Sequence, residues 1–242
     1  MTRRFSLSRN QLKWLALFCM VLDHAACAFL PETSTLYLVF RFVFGRMAYP
    51  MFCVLFVEGF LYTRHPGRHI RDLLLFGILS EPFFDMALYH RWWYPQHQNV
   101  MFSWSLGFVL LWLLEQAYRK YLASSASFAL LYFAGVLVFG VLVFGVLAGM
   151  LHLDYDFVGI FCVAIAYLIK RGYQLSSVWM AVGAAGMDAL CSATPGALLA
   201  ILPFTVYDPD KQVVRGRHWK YWFYAAYPLH LAVFAVLVCV IS

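Results

Sequence analysis

The sequence predicts an all-α, polytopic membrane helix bundle, built as a single domain over residues 1–242. Three observations carry that prediction. The chain is 63% hydrophobic and only 12% charged, with mean hydropathy +0.72, whereas soluble domains carry roughly 25% charged residues. Nine apolar segments follow one another with no soluble domain between them. The basic residues alternate from loop to loop.

A helix crosses a bilayer with about 20 apolar residues. The first candidate, 12–30, reads LKWLALFCMVLDHAACAFL. With Arg3, Arg4 and Arg9 before it and Ala26-Cys27-Ala28 within it, it resembles a cleaved signal peptide. Its length and its Asp23-His24 pair argue for a retained span. The second, 37–61, carries Arg41, Arg46 and Glu58. The third and fourth, 73–89 and 99–118, flank a loop containing Trp92, Trp93 and Tyr94. The fifth, 127–151, contains GVLVFGVLVFGVLAG, whose glycines at 135, 140, 145 and 149 suit close helix packing. The sixth to ninth are 154–169, 176–191, 195–207 and 221–241; the eighth is short and holds Pro195 and Pro203.

Fifteen Lys and Arg residues fall at the amino terminus and in the loops 62–72, 119–126, 170–175 and 208–220, while the alternate loops contribute only Arg91. The bias predicts a cytoplasmic amino terminus and an external carboxyl terminus. Trp92, Trp93 and Tyr94 suit the outer interface, and Trp219, Tyr221 and Trp222 the inner one. The same explanation disposes of nucleic acid as the reason for the +6 net charge. The six cysteines form no CxxC pair, so neither a zinc site nor a disulfide framework is expected, and no metal.

Ionisable groups inside the apolar segments cost several kcal/mol each and persist mainly where they are paired and used. A rise of about 1.5 Å per residue puts Asp23 and His24 near 17 and 18 Å from the cytoplasmic side and Arg46 near 22 Å. Glu81 and Asp85 fall at about 12 and 18 Å, and His230 at about 13 Å. Asp154 and Asn99 lie nearer the external ends. One internal polar cavity is expected, with Arg46 balancing Asp23 or an acid of the third span. A buried network that only fixes helix register is the structural alternative. Glu58, beside Gly59, is expected to bound an inner entrance. Tyr155 and Tyr227 are candidate lining residues. Lys13 and His24 are eleven residues apart, so they share a helix face about 16 Å apart. That spacing suits a long donor with an anionic head and a reactive tail, as in a coenzyme A thioester.

The stretches LKWLALFCMVLDH, FGRMAYPMFCVLFVEGFLYTRH, LLLFGILSEPFFD, QNVMFSWSLG, DYDFVGI and KYWFYAAYPLHL together resemble the TraX family of membrane proteins, associated with amino-terminal acetylation of conjugative pilin. They cover nearly the whole chain in order. The family is similar to larger membrane acyltransferases that carry a basic residue about ten positions before a catalytic histidine in the first span, which Lys13 and His24 fit, with Lys where Arg is usual.

The resemblance implies acyl transfer from cytosolic acetyl-CoA, or another acyl-CoA, in a bacterial cytoplasmic membrane. The acceptor would be an amine or hydroxyl on a pilin amino terminus, exported peptide, glycan or lipid. His24 is the expected general base, with His230 the second candidate. Arg46 or Asn99 is expected to stabilise the oxyanion. Lys13, Arg64, Arg68 and Arg217 are expected to hold the nucleotide phosphates. A proton-coupled transporter also needs buried Asp, Glu and His, but no two-fold repeat of broken helices is visible.

Overall fold

The computed structural model describes residues 6–123, 127–211 and 219–241. Arg3, Arg4, Arg215, Arg217 and Ser242 lie outside them, as do the side chains of Trp219, Lys220 and Tyr221. The described residues are all-helical apart from two isolated β-bridges.

Helix α1 (Arg9–Phe29) starts at a capping box: Ser8 Oγ accepts from the Gln11 N–H, and the Ser8 N–H donates to Gln11 Oε1 at 2.9 Å. A continuous helix follows over Thr35–Leu61, made of α2 (Thr35–Val39), a π turn (Phe40–Gly45) and α3 (Arg46–Leu61). The π turn inserts an extra residue per turn, which rotates Arg41 relative to α3. Then come α4 (Pro66–Tyr89), α5 (Val100–Leu122), α6 (Ser127–Met150), α7 (Asp156–Arg171) and α8 (Ser177–Ser192). A 3-10 turn (Pro195–Ala200) runs into α9 (Ile201–Phe204), and α10 (Trp219–Ile241) closes the chain.

Among the described residues, five helices are long and apolar enough to cross a membrane: Arg9–Phe29, Thr35–Leu61, Val100–Leu122, Phe128–Met150 and Trp222–Ile241. The sixteen-residue α7 and α8 extend only about 24 Å each. The expected eighth span is shorter still. Its prolines and Gly196 produce a 3-10 start pressed onto the Phe42 carbonyl, where no Cβ fits. From there it leads to Tyr207, which pairs with Leu7.

Helices α1 and α10 run parallel in contact. Trp14 meets Phe223, His24 meets His230 and Phe29 meets Phe234, with ring centroids 5.2, 5.0 and 5.3 Å apart. The start of α1 and the end of α10 therefore lie at opposite ends of the bundle, here called the Arg9 end and the Phe29 end.

Packing in lipid relies on close fit more than on the hydrophobic effect. Gly140 and Gly145 meet Leu110 and Phe157 where a Cβ would collide, so two of the four α6 glycines serve close packing; Gly135 and Gly149 face open space. Ala181, Ala184 and Ala185 of α8 are fully buried. At the Arg9 end, buried Glu115 binds Arg119, Arg171 and Tyr167, joining α5 to α7.

Candidate functional site

A cavity of about 460 Å³ opens between α1, the α2–α3 helix, α4, α5 and α10. Its polar lining includes Asp23, His24, Arg41, Arg46, Asp154 and Tyr155. Tyr227 also lines it, packed edge-on against His24 with ring centroids 6.1 Å apart.

His24 and His230 meet inside the bundle. Nδ1 of His24 is 2.7 Å from Nε2 of His230, and Nδ1 of His230 is 2.9 Å from the Ala226 carbonyl oxygen. The expected two histidines at similar depth are thus one hydrogen-bonded pair. Only His24 lines the cavity.

Asp23 pairs with Arg41, not with Arg46. Arg41 Nη1 lies 2.9 and 2.8 Å from the two carboxylate oxygens. The π turn presents Arg41 to α1, and Gly45 lets the backbone approach, since a Cβ there would run into the Asp23 carboxylate. Arg46 instead faces Asp188 of α8 at 3.7 Å and Ser192 Oγ at 3.5 Å, with its guanidinium 6.0 Å from the Tyr155 ring. Both arginines line the cavity.

Tyr155 stacks on Tyr49 with centroids 3.6 Å apart, and Tyr49 stacks on Trp104 at 5.0 Å. Tyr155 holds φ 63 and Asp156 φ 38, left-handed values that are uncommon for non-glycine residues and recur at functional sites. The loop carrying them bonds through its backbone to residues 97–99: the Gln98 N–H donates to the His152 carbonyl and the Asp154 N–H to the Gln98 carbonyl. His97 Nε2 approaches Asp154 Oδ1 at 3.4 Å.

A second cavity of about 420 Å³ lies toward the Arg9 end. Lys13, Arg64 and Arg68 line it, as do His65 and His69. Three residues of the expected basic mouth thus line one cavity, drawn from α1, the α3–α4 connection and the start of α4, whereas Arg217 lies outside the described residues. Phe52, Met101, Trp104 and Phe223 line both cavities and form a collar between them.

Four expected site residues do other work. Asn99 is fully buried and caps α5: its Oδ1 accepts from the Met101 N–H at 2.9 Å, and its amide donates to the Gly77 carbonyl at 2.9 Å and to Glu81 Oε2. Its donors are committed, so it cannot serve an oxyanion. Glu81 also accepts from the Asn99 backbone at 3.1 Å, and Asp85 accepts from the Tyr94 N–H at 2.7 Å. These carboxylates tie α4 to the loop before α5 and do not line either cavity. Glu58 lines neither of these cavities. It is buried, accepting from Ser177 Oγ at 2.5 Å and Tyr207 OH at 2.7 Å, with Arg9 Nη2 at 3.2 Å.

Arg41, Glu32, Tyr49, His97 and Trp104 line the first cavity without having been singled out as site residues. Arg41 carried a signal, an intramembrane charge. The others do not stand out in sequence. Among the described residues no three His, Cys, Asp or Glu side chains come together as a metal site.

Fold and site define a helical membrane protein with two adjoining cavities, one lined by His24 of the histidine pair and the other by Lys13, Arg64 and Arg68. The family profile described as TraX protein matches residues 8–238. The chain belongs to the TraX family. It is also 28% identical over 240 residues to a probable fimbrial assembly protein, FimC of serogroup H1, from Dichelobacter nodosus, covering 96% of each chain. No solved structure matches it significantly.

Proposed function

We propose that this protein is a membrane-embedded acyltransferase that moves an acyl group, acetyl in the simplest case, from cytosolic acyl-CoA to an amine or hydroxyl at or beyond the membrane. One observation carries the reading: a chamber lined by Lys13, Arg64 and Arg68 adjoins, through an aromatic collar, a chamber lined by His24. An anionic nucleotide suits the first, and a thin thioester arm passing the collar would reach the histidine.

His24 takes the proton of the acceptor N–H or O–H as that atom attacks the thioester carbonyl. A C–N or C–O bond forms, the C–S bond breaks, and the imidazolium returns its proton to the departing thiolate. Arg41 and Arg46 supply positive charge to the chamber and favour the oxyanion over the neutral carbonyl.

The loop charges orient the protein with its amino terminus in the cytoplasm, and the basic chamber then faces the acyl-CoA pool. The chain would cross a bacterial cytoplasmic membrane nine times, with α7, α8 and the Pro195–Phe204 segment as short passes. The fimbrial name of the relative supports a pilin-like acceptor over a glycan or lipid.

The test is acetyl-CoA turnover by purified protein in lipid nanodiscs, with hydroxylamine as a small surrogate acceptor and free thiol plus hydroxamate as products. Turnover that requires His24 is expected. Proton-driven flux across vesicles with no thiol release would replace this reading with a transporter.

A further inference from the structure

The histidine pair has a direction. A backbone carbonyl only accepts hydrogen bonds, so the 2.9 Å contact with Ala226 puts the proton of neutral His230 on Nδ1. His230 Nε2 then holds a lone pair and accepts. The 2.7 Å contact to it makes His24 Nδ1 the donor. The lone pair of His24 is left on Nε2, on which no described residue's hydrogen bond ends, in a ring that lines the chamber. Both nitrogens of His230 are occupied, and His230 lines neither cavity.

We infer that, in the acyl transfer proposed above, His230 is a positioning residue: its Nε2 fixes His24 as the Nδ1–H tautomer, so that His24 Nε2 is the base. A carboxylate holds the catalytic imidazole in the same way in serine hydrolases. As the acceptor's proton reaches Nε2 of His24, the Nδ1–H···Nε2 bond strengthens and spreads the new charge toward His230. No other group enters.

Two variants separate acceptor from ring. Gln places its side-chain oxygen near the position of His Nε2, whereas Asn reaches only the Nδ1 position. His230→Gln should keep acetyl-CoA turnover within about tenfold of the parent, while His230→Asn loses about 10²-fold in kcat with KM for acetyl-CoA little changed. Equal damage from both, or none from either, overturns the positioning role. Absence of turnover in the parent protein would instead remove the acyltransferase reading itself.

A separate observation concerns Tyr227. Its side chain is 2% exposed and its hydroxyl has no hydrogen-bond partner among the described residues, although it lines the chamber beside His24. A buried hydroxyl without a partner is costly and is retained more readily where a ligand completes it. Next to it is the Val100 N–H, close to the hydroxyl but outside hydrogen-bonding geometry. As the first amide of α5, it has no acceptor within its own helix.

We propose that the Tyr227 hydroxyl donates to the thioester oxygen as it becomes an oxyanion, in the role that the committed amide of Asn99 cannot fill. This too rests on the acyl-transfer reading. Tyr227→Phe keeps the ring and removes one donor, and such a loss lowers kcat about 10²-fold or more. KM for acetyl-CoA should stay within about threefold. A Phe variant with parental kcat overturns the role, as does one whose whole loss lies in KM.

Discussion

One nitrogen of Arg41 reaches both carboxylate oxygens of Asp23, at 2.8 and 2.9 Å, and the pair sits one residue from the catalytic candidate His24. It couples the π turn to α1 and so fixes the wall on which His24 stands. Removing one partner of a fully buried pair costs about 3–5 kcal/mol. Because one edge of Arg41 meets the chamber, we expect roughly 2–3 kcal/mol for Asp23→Asn or Arg41→Gln. A double-mutant cycle should show coupling between Asp23 and Arg41 and additivity between Asp23 and Arg46. The reverse pattern would restore Arg46 as the partner.

Gly45 tests the same pair sterically. A Cβ at this position would overlap the Asp23 carboxylate, and the neighbouring helix backbone limits how far it can retreat. Gly45→Ala should therefore lower the unfolding temperature in detergent, by an amount matching about 1–3 kcal/mol of overpacking. Combining it with Asp23→Ala should relieve most of that loss. A full additive penalty in the double variant would mean that the glycine serves something else.

The Asp23–Arg41 pair also shows where sequence reading ends. The all-helical fold, the long apolar helices and the polar interior follow from hydropathy and charge. Partners do not, because depths counted from apolar boundaries miss the true helix starts. Arg9 bonds Glu58, so those residues share a level. From it Asp23 rises about 21 Å, Arg46 about 18 Å and Arg41 about 25 Å. Depth alone favours Arg46, but the π turn aims Arg41 at α1, and nothing in FRFVFG announces that turn. Similarly, Glu81, Asp85 and Asn99 are polar and deep, yet one oxygen of each carboxylate and the whole Asn99 amide are engaged at the start of α5 or in the loop before it. Backbone capping by distant carboxylates leaves no periodic mark in a sequence. His24 and His230 were legible as residues; their contact, 206 positions apart along the chain, was not.

His97 and Asp154 join the two loops at the Phe29 end. Burial works against charge on His97, but the hydrogen bond and the charge of Asp154 outweigh it, and its pKa is raised above the ordinary histidine value. A raised folded pKa adds stability that is complete below about pH 6.5, the unfolded value, and is lost as pH rises through the folded one. Asp154→Asn retains an oxygen for the Tyr155 N–H but removes the charge. The gap in unfolding temperature between parent and variant should be widest near pH 6 and narrow by pH 8.5. A gap that does not change with pH would show that Asp154 does not shift the titration of His97 in this range.

The two chambers make opposite demands on kinetics, and that contrast tests the whole arrangement. A general base contributes about 10²–10⁴ in rate. His24→Ala should thus abolish most acetyl-CoA turnover while coenzyme A still binds, because the chamber proposed for the nucleotide, lined by Lys13, Arg64 and Arg68, lies on the far side of the collar. Substituting Ala for any of those three should do the opposite. Loss of a hydrogen bond to a charged group costs about 1.5–3 kcal/mol, or about 10–100-fold in donor affinity, with the chemical step little changed. Each effect is measurable on the same nanodisc preparation, by calorimetric titration with coenzyme A and by thiol release at saturating acetyl-CoA. If His24→Ala weakened coenzyme A binding as much as Arg68→Ala, the chambers would not divide binding from chemistry. If the basic substitutions lowered turnover at saturation but left binding intact, the nucleotide would sit elsewhere on the cytoplasmic face.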